Sequence, residues 1–189
     1  MNVGHGGGEH LQQMNKKTTE FDEYYRLFAQ KLYGVAFKMV SNQQDALDIV
    51  QESFIRAYQN WAKFRGDSAV STWLYKITLN LSYDFLKKRG RANILPVEKD
   101  FEDRRVVPND RRIMDSDRME KIKKEIDNLT PKQKSIFILK SYDELTYREI
   151  ARIMNSRIGT IKATYFQVIQ KIRKNVSDKE VGKNVLQEI

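Results

Sequence analysis

Between Tyr147 and Lys162 the sequence sets Ala151, Asn155 and Ile161 four and then six residues apart, between two stretches of helical apolar spacing. That is helix-turn-helix spacing. A small residue at Ala151 lets the second helix approach the first, Asn155 stands where the tight turn needs a left-handed backbone, and Ile161 anchors the second helix in the core. The second helix keeps Ile158, Ile161, Tyr165, Val168 and Ile172 for the core. Its other side offers Thr160, Lys162, Thr164, Gln167, Lys171, Arg173 and Lys174, a mixture of hydrogen-bonding groups for base edges and cations for phosphates. An ordinary helical hairpin would also bury the Ala and the Ile. A face without a single Asp or Glu from Thr160 to Val176 favours a polyanion in the major groove over a plain solvated surface.

A second constellation lies in the amino-terminal half. Lys63, Phe64, Arg65, Trp73, Lys76, Asn80 and the Lys87-Lys88-Arg89 run mix aromatic rings, cations and an amide. Such a set suits unpaired DNA, because bases stack on rings or enter a loop pocket while the backbone meets the cations. Trp73 taken alone suits the core equally well. Upstream, Asp48, Gln51 and Glu52 stand at i, i+3 and i+4 and share one helix face that can dock a basic partner helix, although acidic helix faces commonly meet only solvent.

Chemistry of the bond-making kind finds no residues. There is no glycine-rich phosphate loop, no metal cluster and no nucleophile–base pair, and both histidines fall in the first ten residues. The His-Gly-Gly-Gly-Glu-His tract there does not pre-organise ligands, so no metal, cofactor or enzymatic activity is expected. The chain has no cysteine, which fits a cytoplasmic protein, and no apolar run of the roughly 18 residues that a membrane span needs. The net charge of +9 is distributed as +4 over residues 1–92, −1 over 93–118 and +6 over 119–189. Two basic blocks flank a nearly neutral middle, as expected for a polyanionic partner.

The elements that must position these residues are all helical. Phe21, Tyr25, Phe28, Leu32, Val35 and Met39 recur in steps of three or four and predict one amphipathic helix. Ser41-Asn-Gln-Gln44 has the form of a capping box, starting a second helix with a predicted stripe of Leu47, Val50, Phe54, Tyr58 and Trp61. A third runs from about Ser71 to Arg89 around Leu74, Ile77, Leu81 and Phe85, with Gly90 as a natural stop. Residues 93–118 lose periodicity and carry Pro96 and Pro108. Helical spacing resumes at Met119, and Thr130-Pro-Lys-Gln133 and Thr146-Tyr-Arg-Glu149 each signal a capped helix start. The expected fold is therefore all-α. Two small helical domains, 20–92 and a helix-turn-helix domain at 119–176, are joined by a flexible linker at 93–118, with a disordered extension at 1–19 and a tail at 177–189.

With these residues in view, the chain resembles a group-four, extracytoplasmic-function (ECF) sigma factor of the sigma-70 family from Phe21 to Val176. Asp45-Ala-Leu-Asp-Ile-Val-Gln-Glu-Ser-Phe54, Phe64-Arg-Gly-Asp-Ser68 and Thr72-Trp-Leu-Tyr-Lys-Ile-Thr-Leu-Asn80 resemble the family's second domain. Leu129-Thr-Pro-Lys-Gln133, Tyr147-Arg-Glu-Ile-Ala151 and Gly159-Thr-Ile-Lys162 resemble its fourth. Two ordered motifs on either side of a linker are harder to meet by chance than one helix-turn-helix.

The resemblance implies a subunit that directs core RNA polymerase to promoter DNA, for a stress or envelope regulon, and that an anti-sigma factor holds in check. It implies that Asp45, Asp48, Gln51 and Glu52 bind the polymerase. Lys63, Phe64, Arg65, Ser68, Trp73, Lys76, Asn80, Lys87 and Lys88 would meet the minus-ten element, and Arg157, Thr160, Lys162, Ala163, Thr164, Gln167 and Lys171 the minus-thirty-five element. One departure stands out: Ala163, Thr164, Tyr165, Phe166, Gln167 and Ile169 leave the middle of the last helix uncharged where the family often carries further cations. The alternative reading, a stand-alone helix-turn-helix regulator binding duplex DNA without polymerase, leaves the amino-terminal motif unexplained.

Overall fold

A computed structural model describes residues 6–61, 64, 69–91 and 116–176, with side-chain surroundings for 19–61, 64, 69–90 and 120–175. Among these residues it consists of seven helices: α1 (Gly6–Val40), α2 (Gln43–Asn60), α3 (Val70–Arg91), α4 (Ser116–Asp127), α5 (Pro131–Ser141), α6 (Tyr147–Ile153) and α7 (Ile158–Val176). None is long and apolar enough to cross a membrane.

The first helix buries Phe21, Leu32, Val35 and Met39 on the expected spacing, with Phe28 half-buried. Tyr25 is exposed, although its ring meets Phe54 edge-on at 4.7 Å between centroids. The helix begins at Gly6, inside the stretch expected to be disordered. Once Phe21 and the residues after it are packed, adding turns at the amino-terminal end avoids a new nucleation, and the glutamates, glutamines and lysines of residues 9–20 are good helix formers.

The link between α1 and α2 corrects a second expectation. Ser41 is not the N-cap; it takes a left-handed backbone with φ 57°, and its amide donates to the Phe37 carbonyl at 2.8 Å. It closes α1, and a residue so placed cannot also adopt the extended conformation of a cap. Asn42 caps α2 instead, its Oδ1 accepting from the Asp45 amide at 2.9 Å. Gln44, freed from the expected box, donates to Asp48 at 3.0 Å.

The buried side of α2 is also turned from its expected phase. Ala46, Ile49, Val50, Ser53, Phe54 and Ala57 face inward, whereas Leu47 is 47% and Tyr58 54% exposed. Ala46, Ser53 and Ala57 are small enough to let α2 approach α1 and α3 closely, which a Leu47 stripe would prevent. Ser53 is satisfied in that seam: it donates to the Ile49 carbonyl at 2.7 Å and accepts from the Thr78 hydroxyl at 3.0 Å. On α3 the buried face is Leu74, Tyr75, Thr78, Leu79 and Ser82, with Ile77, Leu81 and Phe85 half-buried.

The later helices start where the sequence signals them. Thr130 and Thr146 each form a complete capping box, with Gln133 and Glu149, and Pro131 opens α5. Helix α4 is fastened to α5 by Lys134, a nearly buried ammonium 3.0 Å from the Asp127 carboxylate, and to α7 by Asn175, which donates to Glu125 at 2.9 Å. α4 already begins at Ser116, within the expected linker; residues 92–115 and 177–189 lie outside the described residues. The two helical units, α1–α3 and α4–α7, share one apolar core. Leu32, Val35, Met39, Leu74 and Leu79 from the first join Ile136, Leu139, Ile150 and Ile161 from the second.

Candidate nucleic-acid and partner interfaces

Three exposed faces carry the residues singled out in the sequence. The first is the helix-turn-helix of α6 and α7. Thr146 opens it with a reciprocal cap: its amide donates to Glu149 at 2.8 Å, and the Glu149 amide donates to its hydroxyl at 3.3 Å. The hydroxyl and amide of Thr146 hold the Glu149 carboxyl below the usual carboxylate range. In the turn, Asn155 takes φ 46°, as the spacing predicts, and the Ser156 amide donates to the Ala151 carbonyl at 2.9 Å. Ala151 and Ile161 are buried where the motif needs them.

Because Asn155 sits in the left-handed region, Asn155→Ala is expected to cost about 1 kcal/mol in urea denaturation, while Asn155→Gly keeps or raises stability. Equal midpoints for alanine and glycine would mean that the turn does not require this conformation.

On α7, Ile161, Val168 and Ile169 are buried and Thr160, Lys162, Ala163 and Gln167 are exposed, as is Arg157 just before the helix. Two of the expected contacts are qualified by their surroundings. Thr164 is half-buried, and Lys171 donates to the Asn128 carbonyl at 3.4 Å, which ties it to the end of α4. The Lys162 ammonium lies 5.8 Å from the Tyr147 ring centroid and that of Lys140 5.2 Å, so one ring gathers two cations beside the exposed face. Phe166, 63% exposed, was missed by sequence reasoning, and Ile158, expected in the core, is exposed too. Phe166 follows Ala163 by three residues, on the outward side of the helix, so register rather than hydrophobicity would have found it. An outward phenyl on such a helix suits contact with thymine methyl groups.

The second face is on α2. Asp48 and Gln51 are exposed, and the Glu52 carboxylate pairs with Arg56 at 2.6 Å while staying open to solvent. Asp45 is half-buried at the capped first turn. Leu47, Ile55 and Tyr58 are exposed on the same helix, which converts an acidic patch into a mixed one. A stripe of apolar side chains beside carboxylates fits a helix that carries both apolar and basic groups. Hydrophobicity had assigned Leu47 and Tyr58 to the core, and so the apolar part of this surface was not legible.

The third face is on α3. Lys76, Asn80, Lys87 and Lys88 are exposed along it. Trp73 is half-buried, stacked on Phe64 at 4.9 Å between centroids, and Phe64 stacks in turn on Trp61 at 5.8 Å. Trp73 is therefore part of a ring cluster packed against the core rather than a free platform, with Phe64 stacked on it and Trp61 6.3 Å away between centroids. Lys63, Arg65 and Ser68 lie outside the described residues.

Comparison with known proteins adds to this geometry. Residues 24–92 match the family model for sigma-70 region 2, and residues 119–172 match that for sigma-70 region 4. The chain is 30% identical over 178 residues to the RNA polymerase sigma-H factor of Pseudomonas aeruginosa, covering 88% of this chain and 90% of that protein. It is 33% identical over 180 residues to the ECF RNA polymerase sigma-E factor of Haemophilus influenzae, covering 89% and 92%. Among solved structures, the sigma factor RpoE of Bartonella quintana, crystallised with the anti-sigma factor NepR, has the same fold. Its TM-score is 0.65 at 23% identity, over 85% of this chain and 99% of that one.

Proposed function

Because the chain belongs to the ECF group of the sigma-70 family, and so directs RNA polymerase in transcription initiation, we propose a division of labour among its three faces. The α2 face, with Asp45, Asp48, Gln51 and Glu52, binds core polymerase. The α3 face and the loop before it receive the minus-ten element: Phe64 and Trp73 offer ring faces to an unpaired base, and Lys63, Arg65, Ser68, Lys76, Asn80, Lys87 and Lys88 meet the surrounding strand. Helix α7 reads the minus-thirty-five element through Arg157, Thr160, Lys162, Ala163 and Gln167, with Thr164 and Lys171 at its margins. The protein acts in the cytoplasm, beside the polymerase, with no catalytic centre of its own.

The observation that carries this reading is the outward face of α7. Its cations and hydrogen-bonding groups point away from a core containing Ile161 and Val168, with no carboxylate among them. The relative crystallised with NepR supports a further part of the proposal, that an anti-sigma factor restrains this protein until a stress signal releases it.

The test is Lys162→Glu, assembled with core polymerase and assayed on duplexes selected by the wild-type holoenzyme from a random library. Loss of one phosphate contact should weaken binding by about ten-fold and reduce the salt slope by about 1. Wild-type affinity with an unchanged salt dependence would remove α7 from the DNA interface.

A further inference from the structure

Where the end of α3 meets the start of α5 and the residue that closes α6, the surface opens into a groove of about 620 Å³, within the roughly 300–1,000 Å³ of clefts that hold ligands. Its deeper part is apolar. Tyr83, Leu86 and Met154 line it half-buried, with the Tyr83 hydroxyl 3.8 Å from the Met154 sulfur, while Lys87, Pro131 and Lys132 stand exposed around them. Neither Lys87 nor Lys132 meets a carboxylate among the described residues. An apolar floor beneath two unpaired cations fits a partner that carries apolar side chains and, directly after them, carboxylates.

The chain supplies such a partner next to the groove. Helix α3 ends at Arg91, one turn or about 6 Å beyond Lys87, and the sequence continues Ala92-Asn-Ile-Leu-Pro-Val-Glu-Lys-Asp-Phe-Glu-Asp103. Pro96 disfavours helical backbone at Leu95, and an extended course sets Leu95 and Val97 on one side. Carboxylates follow at once, residues 98–103 carrying a net charge of −3. Three residues span at most about 11 Å, so residues 94–97 can turn back over Leu86 from the end of the helix. So short a tether gives an effective concentration in roughly the millimolar range, and a contact too weak to hold a free peptide holds this one. A free ligand of the same chemistry would have to outcompete it.

We propose that this groove is the docking site of the chain's own residues 94–100: Leu95 and Val97 cover Leu86 and Met154, and Glu98 and Asp100 meet Lys132 and Lys87. Docking does not depend on what α3 and α7 recognise. One consequence does rest on the assignment of Lys87 to the minus-ten strand: the acidic segment and that strand compete for the same ammonium.

The Met154 methyl group reports on the groove, read by NMR in the full-length chain labelled at its methionine methyls and assigned with Met154→Leu. In Leu95→Ser/Val97→Ser, whose changes lie outside every described helix, the Met154 signal should move, and millimolar peptide of sequence 92–103 should bring it back. The same peptide should leave the wild-type signal in place, because the groove is already filled. A Met154 signal identical in wild type and variant, or one that the peptide fails to restore, would overturn the proposal. Charge is tested separately: Lys132→Glu should move the signal in the same direction, and Glu98→Lys/Asp100→Lys in the same chain should reverse it. No reversal would overturn the pairing given to the carboxylates. For the competition, a single-stranded oligonucleotide carrying the minus-ten sequence of the selected promoter should bind the Leu95→Ser/Val97→Ser chain about three-fold more tightly than the wild type at low salt. Equal affinities would overturn the competition at Lys87, and binding by neither chain would overturn the assignment of α3, with docking still decided by the methyl signal.

Discussion

Replacing Asp48 and Glu52 together by arginine is expected to weaken binding to core RNA polymerase by at least about 100-fold. Setting like charges against a basic partner helix costs several kcal/mol, and each 1.4 kcal/mol or so is a factor of about ten. The fold should survive the change. Asp48 is exposed, and the lost Glu52–Arg56 pair is an open i, i+4 bridge worth only a few tenths of a kcal/mol. Circular dichroism should therefore be unaltered while co-elution with polymerase at moderate salt disappears. A folded variant that binds within a few-fold of the wild type would take this face out of the polymerase interface. Leu47, Ile55 and Tyr58 are exposed on the same helix, to one side of these carboxylates, so the lost attraction would fall within a mixed apolar and acidic surface.

Ile161→Ala is expected to destabilise the protein by about 3 kcal/mol, which is a large share of the roughly 5–15 kcal/mol that holds such a chain folded. Ile161 is 0% exposed and lies in the core shared by both helical units. Removing its side chain leaves a cavity at the point where α7 is held, so the orientation of the exposed face should suffer along with stability. Urea denaturation measures the first effect, and duplex binding by the holoenzyme measures the second. A loss below about 1 kcal/mol would mean that the surroundings collapse to fill the site, and that α7 is held by Val168 and Ile169 instead.

Much of the carboxy-terminal half could be read directly. The capping boxes at Thr130 and Thr146 and the left-handed Asn155 all stand as their residue types and spacing predict. Each involves partners within four or five residues, so their energies hardly depend on the rest of the chain. The turn at Ser41 shows the limit of such reading. Ser41 and Asn42 are both acceptable caps, and the choice went to Asn42 because α1 runs to Val40 and needs a left-handed residue to end it.

On α2, apolar residues occur on more than one side, so helical spacing sets the period but not the phase. Leu47 and Tyr58 are the larger apolar side chains, yet Ala46, Ser53 and Ala57 face inward, because close approach to α1 and α3 selects size over hydrophobicity. Phe166 enters the sequence reading only as an uncharged position of the last helix, and its outward ring is set by helix register, while the ambiguity at Trp73 resolved into a stack with Phe64 that pairwise reading does not reveal.

Residue type and short-range spacing thus settle that the chain is helical, where several helices start and turn, that α7 carries cations without carboxylates, and that the two sigma-like motifs follow in order. These depend on local backbone energetics and on charge, which travel with the sequence. The side of α2 that meets water, the partner of Trp73 and the closure of one helical unit on the other depend on contacts such as Tyr83 with Ser135 and Met154, 52 and 71 residues away. Such contacts form only when whole helices pack, and their outcome reflects competition among many apolar surfaces for the same core, which no short stretch of sequence records.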